Sequence, residues 1–330
     1  MKVVITGGTG FIGMNICRSL LERGSLKGPS GEQQEIDNII LFDAVIPDQR
    51  PEGLDERVEI VSGDISDRDT VFSLIDRDDI SIFHLASVVS AGGEKDFDLA
   101  MRVNLDGGRH VLEAARARSA TPRVVFTSSV ATYGGSSMPE VVTETTRAMP
   151  QTTYGMTKVI GEMMINDYTR KGFIDGRTAR LPTVIIRPGK PNAAASSFCS
   201  GLFREPLQGQ PCALPVDRST RMPLIGNRNC VAGIIAVHEL DSEQLGDDRS
   251  LSLPSIDSTV AEMVAAVERV AQKHGIELGP ITDQPDPAIQ AIVMSWATRM
   301  NSDRAIELGL FRDDSLDQII ENFIEDNISR

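Results

Sequence analysis

Positive charge is in short supply in this chain: 33 Lys and Arg stand against 47 Asp and Glu, a formal net charge of −14. The long-range field of such a protein repels phosphate, so neither nucleic acid nor an anionic membrane is expected as a partner. Cysteine is equally scarce. Cys17, Cys199, Cys212 and Cys230 show no CxxC spacing and read as buried thiols. The four histidines, His84, His110, His238 and His274, are scattered, and no metal site is predicted. No apolar run reaches the roughly 20 residues of a membrane helix. The first residues carry one lysine and a strand-like VVIT in place of a secretion leader, so the expected location is cytoplasmic.

What the chain does have is alternation. Apolar runs at 2–6, 38–43, 58–64, 80–86, 123–129 and 183–189 are separated by helical patterns at 11–23, 67–76, 94–118 and 153–171. Strands that read as continuous apolar runs are buried on both faces, which predicts an α/β fold: a Rossmann-type doubly wound parallel sheet. The polar stretch 25–37 reads as a surface insertion. Past residue 189 the alternation fails. Residues 1–188, completed by about 222–255, are expected to form a dinucleotide-binding domain, with 189–221 and 256–330 as a smaller, mostly α substrate lobe. Within that lobe Thr259 and Glu262 form a capping box, Gly275 stops the helix, and Ser315 caps the last one.

The first strand runs into TGGTGFIG, with Gly7, Gly8, Gly10 and Gly13. Glycine at a strand-to-helix turn permits positive φ and close backbone approach to a diphosphate, and the helix that follows, opening with Phe11 and Ile12, points its N–H groups at the phosphates. Asp43 ends the second strand. Its carboxylate would accept both adenine-ribose hydroxyls and repel a 2′-phosphate, favouring NAD over NADP; a strand-end turn cap is the other reading. Asp64 and Ile65 fall where an adenine edge would lie, or form a plain turn. Tyr154 and Lys158 in YGMTK share one helix face. A phenol is a poor base at neutral pH unless an adjacent ammonium favours the phenolate.

TGGTGFIG, FTSSVATYG and YGMTK together resemble the extended short-chain dehydrogenase/reductase family, whose members are NAD-dependent epimerases, dehydratases and dehydrogenases. The resemblance implies that Ser129 orients the substrate hydroxyl, that Ser128 lies beside the nicotinamide, and that His84, Leu85, Ala86, Ser87 and Asn104 border the cofactor. Pro188 follows the strand lining the nicotinamide. It further implies a Tyr154 general base, with Lys158 lowering the tyrosine's pKa and holding the ribose. Many members pair as homodimers through the helix carrying Tyr and Lys and the helix before it.

Val130 and Ala131 stand where a dehydratase carries Asp-Glu, which argues against that chemistry. RPGKPNAAASSF replaces the NVYGP-like segment of nucleotide-sugar epimerases. With REPLQGQ and two C-terminal stretches it resembles a branch that oxidises free sugar acids, implying a small anionic substrate, a four-carbon aldonate; a nucleotide-sugar 4-epimerase is the alternative. For the carboxylate, Asn192, Ser196, Ser197 and Arg221 are the candidates, while Arg187 reads as a candidate ion-pair partner. A non-enzymatic dinucleotide binder is disfavoured because Tyr154 and Lys158 are both present. General-base catalysis is typically worth about 10²–10⁴-fold. Tyr154→Phe is expected to lose at least that much turnover in a steady-state assay while still binding NAD; near-full activity would remove Tyr154 from the role.

Overall fold

Five of the apolar runs form neighbouring strands: β1 (Lys2–Thr6), β2 (Asn38–Asp43), β3 (Val58–Ser62), β4 (Ile80–His84) and β5 (Arg123–Ser129). With β6 (Asp175–Leu181) and β7 (Ser250–Ser252) they make one sheet in the order β7-β6-β5-β4-β1-β2-β3. Every pairing in it is parallel. This computed structural model describes residues 1–189 and 194–328. Because side chains alternate along a strand, Val3, Ile5, Ile39 and Leu41 pack one face against α1 (Phe11–Arg23) and α6 (Asn227–Glu239). Val4, Ile40, Ile82 and Val124 pack the other against α2 (Arg68–Leu74), α3 (Gly107–Arg116) and α4 (Thr153–Arg170). The doubly wound α/β architecture follows from the apolar runs as expected.

The sixth strand is not the one that the apolar runs predict. The stretch 183–189 is expected in the main sheet, but the sixth strand is DGRTARL, with no apolar run at all. Its charges are balanced inside the protein: Asp175 accepts from Arg249 at 2.7 Å and is bridged by Arg177. Arg177 and Arg123 also donate to the His238 carbonyl, at 2.5 and 2.8 Å, beside the C-terminus of α6, where cations complement the free carbonyls. Thr183–Ile185 instead pairs in parallel with Arg221–Gly226, which pairs antiparallel with Ile256–Thr259.

The C-terminal part therefore holds small sheets as well as helices: that three-stranded sheet, and a parallel pair of Cys212–Leu214 with Ile281–Asp283. Around them α5 (Ser197–Leu207), α7 (Val260–His274), α8 (Pro287–Met294) and α9 (Leu316–Asn327) enclose a second apolar core that includes Phe203, Met263, Val267, Ile320 and Phe323. The Thr259–Glu262 capping box, the left-handed Gly275 and the Ser315 cap stand where the sequence placed them. The polar insertion forms a hairpin of Ser25–Lys27 with Gln33–Glu35, tied to Glu239 through Lys27 N and Gln33 Nε2. All four cysteines are free and buried. Among the described residues no helix is long and apolar enough to cross a membrane.

The position of α4 is set by closeness. Thr152 caps its start, accepting from Gly155 N at 3.1 Å. A Cβ at Gly155 would lie 2.1 Å from the Ala131 carbonyl oxygen, and one at Gly161 would lie 2.5 Å from the Phe126 ring. Small residues at these two points let the helix rest directly on the end of β5. Gly155→Ala is expected to cost about 1–3 kcal/mol, the usual effect of overpacking, read from the urea unfolding midpoint. An unchanged midpoint would show that the helix is not held at this distance.

Candidate active site

The carboxyl ends of β1, β4 and β5 and the start of α4 open into a cavity of about 340 Å³. Gly7, Gly10, Phe11, Ile12 and Gly13 line it on one side. Gly7 has φ 68°, and a Cβ there would lie 2.8 Å from Ala86 N; a Cβ at Gly13 would lie 2.6 Å from the Gly7 carbonyl. The turn therefore tolerates no side chain at either position. Gly10 starts α1 with no side-chain cap and no acid in the first turn. Uncapped N–H groups at a helix start, bordering a cavity, fit a diphosphate such as that of NAD.

Ser128, Ser129, Tyr154 and Lys158 line the same cavity. Lys158 is buried, its Nζ donating to the Thr127 carbonyl at 2.8 Å and lying 4.7 Å from the Phe126 ring centroid and 5.5 Å from that of Tyr154. Burial pushes the ammonium down to about 7, opposed by the charge of Glu162. The Tyr154 phenol is pushed up by burial, with the Ser129 hydroxyl working against it. Ser129 Oγ also accepts from Ala131 N at 3.2 Å, which fixes its side chain at the end of the strand.

Other residues singled out from the sequence have more varied places. Leu85 and Ser87 line the cavity. Ala86 sits behind the glycine turn, its N–H donating to Thr6 Oγ1 at 3.3 Å. Thr6 Oγ1 lies 2.7 Å from His84 Nδ1, and the buried His84 ring stacks on Phe126, joining the ends of β1, β4 and β5. Asn104 is spent on structure: its amide bonds both Val88 N and Val88 O and reaches Thr157 Oγ1 at 3.1 Å, clamping the loop after β4 to α4. Asp64 accepts from Ser66, and Ile65 is buried beside Gly107. Pro188 lines a different, larger and open cleft between α1, α6 and α9, which none of Ser129, Tyr154 and Lys158 borders.

Ser196 and Ser197 reach the cavity, at the start of α5. Asn192 lies outside the described residues. Arg221 does not line the cavity; it sits 3.9 Å from Glu262, the acid of the capping box on the neighbouring element. The arginine at the cavity is Arg187, half-buried, its N–H donating to Ser200 Oγ at 3.1 Å and its carbonyl accepting from Arg204 at 2.7 Å. Thr183 and Trp296 also line it and were missed. Trp296 is the chain's single tryptophan, which was the available signal. Its Nε1 is buried with no hydrogen-bond partner among the described residues.

Asp43 ends β2 half-buried beside the glycine turn, accepting from Thr9 N at 3.3 Å and Val45 N at 3.4 Å. A carboxylate here disfavours a 2′-phosphate. Asp43→Ser is expected to shift the ratio of NADPH to NADH affinity by at least about tenfold towards NADPH, roughly 1.4 kcal/mol. Fluorescence titration with the two reduced cofactors reads it, and an unchanged ratio would exclude Asp43 from discrimination.

A D-erythronate dehydrogenase of Cupriavidus necator is 45% identical over 327 residues, 99% of this chain and 98% of that protein. A second D-erythronate dehydrogenase, from Haemophilus influenzae, is 38% identical over 325 residues, 98% and 99% of the two. A crystal structure of a nucleoside-diphosphate-sugar epimerase from Agrobacterium tumefaciens superposes with TM-score 0.89 at 37% identity, covering 100% of this chain and 95% of that one. Residues 3–248 match the NAD dependent epimerase/dehydratase family, and the chain belongs to it.

Proposed function

We propose that this protein is an NAD-dependent dehydrogenase that oxidises D-erythronate at the carbon next to the carboxylate, giving the 2-oxo acid. The observation that carries the reading is one small cavity lined by Tyr154, Lys158, Ser129 and Arg187 together. The two full-length relatives named for D-erythronate support it.

In this reading Tyr154 removes the proton of the substrate hydroxyl while Ser129 hydrogen-bonds the same oxygen. NAD, when bound along the glycine turn, supplies the hydride acceptor. Lys158, held by the Thr127 carbonyl, keeps a positive charge near the phenol and so favours the phenolate. Arg187 receives the carboxylate. Burial and the nearby Arg204 lower its pKa from the usual arginine range, yet a guanidinium starts so high that it stays charged. Planar two-point donation suits a carboxylate, and partial burial strengthens it.

A nucleotide-sugar 4-epimerase is the second reading, favoured by the name of the Agrobacterium tumefaciens structure. The two differ in stoichiometry: the dehydrogenase accumulates NADH, the epimerase none. Purified protein is supplied with NAD and, separately, D-erythronate, L-threonate, D-threonate and UDP-hexoses. Continuous NADH production with D-erythronate is expected, and Arg187→Met should raise the KM for the acid at least about tenfold with a smaller change in kcat. Interconversion of a UDP-hexose without net NADH, and no response to tetronates, would overturn the proposal.

A further inference from the structure

Two turns beyond Tyr154 and one beyond Lys158, α4 carries an acid that the chemistry above does not use. Glu162 is 5% exposed. Its Oε1 accepts from Ser128 Oγ at 2.5 Å and from Arg180 Nε at 2.8 Å, and its Oε2 accepts from Arg180 Nη2 at 2.7 Å. Arg180, on β6, also donates to Tyr133 Oη at 2.7 Å, and Tyr133 donates to the Thr143 carbonyl at 2.9 Å. Both oxygens of the carboxylate are thus satisfied inside the protein.

We propose that Glu162 is a positioning residue for the Tyr154–Lys158 pair, its carboxylate fixing the Ser128 hydroxyl and serving as counter-charge to the Lys158 ammonium one helical turn away. This rests on the function proposed above only for its catalytic consequence.

A buried ion pair is a poor source of stability, since an apolar pair of similar volume commonly serves as well. Glu162 and Arg180 do two things that an apolar pair could not. Because Ser128 gives its hydrogen to Glu162, its oxygen meets the cavity as an acceptor. Because residues one turn apart lie about 5–6 Å from each other at Cβ, the carboxylate also acts on Lys158 through a water-poor interior.

The groups facing Lys158 make Glu162 the relevant anion among the described residues. From β5 it meets the Thr127 carbonyl and the Phe126 ring, and from α4 the Tyr154 ring. From β4 it faces His84, which burial holds neutral down to about pH 3. Burial pushes the ammonium down to about 7, and Glu162 is the charge that opposes this desolvation. The sign follows: without the carboxylate the amine loses its proton at lower pH, and Tyr154 is left without its positive neighbour at the pH where it must ionise. The two groups titrate as a coupled pair.

The test uses the full chain. Glu162→Gln alone leaves the buried Arg180 without its counter-charge and can fail to fold, so Glu162→Gln/Arg180→Met is made beside it. Lysine labelled with ¹³C at Cε is titrated by NMR, with the Lys158 signal identified by its loss in Lys158→Met. The double variant, folded by circular dichroism, is expected to show a Lys158 midpoint lower by at least about one pH unit. The acid limb of kcat/KM for D-erythronate should move upward. A midpoint within about 0.3 unit of the parent's, in the folded double variant, overturns the proposal, because an interaction worth a counter-charge shifts a pKa by more than that. The NMR readout needs no substrate. A shifted midpoint with no D-erythronate oxidation by the parent protein would therefore refute the proposed function and leave Glu162 in its role.

Discussion

An ammonium group held out of water is the constraint around which this site is built. Among the described residues Lys158 has one direct hydrogen-bond acceptor, a main-chain carbonyl near the end of β5, and an aromatic face beneath it. For that contact to exist, α4 has to lie almost on the strand. Glycines at 155 and 161 give the helix this approach, and the Thr152 cap fixes where it begins. Once the helix is seated, Tyr154 and Ser129 converge without further adjustment. The glycine turn after β1 is brought to the same cavity by the strand order, since β1 and β5 flank β4. Crevices at the carboxyl ends of parallel strands are where such folds bind ligands, and here the helix contact decides what the crevice can do.

The main sheet was legible where burial on both faces demands apolar residues, and illegible where charge substitutes for them. In β6 the interior is satisfied by Arg177, Asp175 and the end of α6, a solution that depends on residues about 60 positions away. No local pattern encodes such a partnership. The run at 183–185 is apolar because it too is enclosed, but by the small sheet. Periodicity reports burial and says nothing of which sheet provides it. Capping signals at Thr259, Gly275 and Ser315 were readable because each is satisfied within a few residues.

The same division holds at the site. Ser128, Ser129, Tyr154, Lys158 and the glycine turn belong to short motifs in which spacing and element type are coupled, so the sequence shows both. Arg187, Thr183 and Trp296 reach the cavity from separate stretches brought together only by the fold. Arg221 was a reasonable candidate by chemistry. The strand that carries it pairs antiparallel with Ile256–Thr259, which puts Arg221 beside the acid of the following helix cap. Glu262 could be read as a capping residue; that it would also occupy an arginine 41 positions earlier could not.

The proposed function sets an acidic protein to handle an acid, a conflict between its outer field and its inner site. With a formal charge of −14, the surface as a whole disfavours an approaching anion, although ions in solution screen this beyond about 8–10 Å. Inside the cavity two cations, Lys158 and Arg187, are among the described lining residues and act through a low-dielectric wall. Glu162 and Glu205 stand one layer behind, the first on Ser128 and Arg180, the second paired with Arg204. Local positive potential in a negative molecule makes binding depend on entry into the cavity and on little else. That arrangement suits a small carboxylate bearing hydroxyl groups, whose recognition rests on a few short contacts and not on long-range steering.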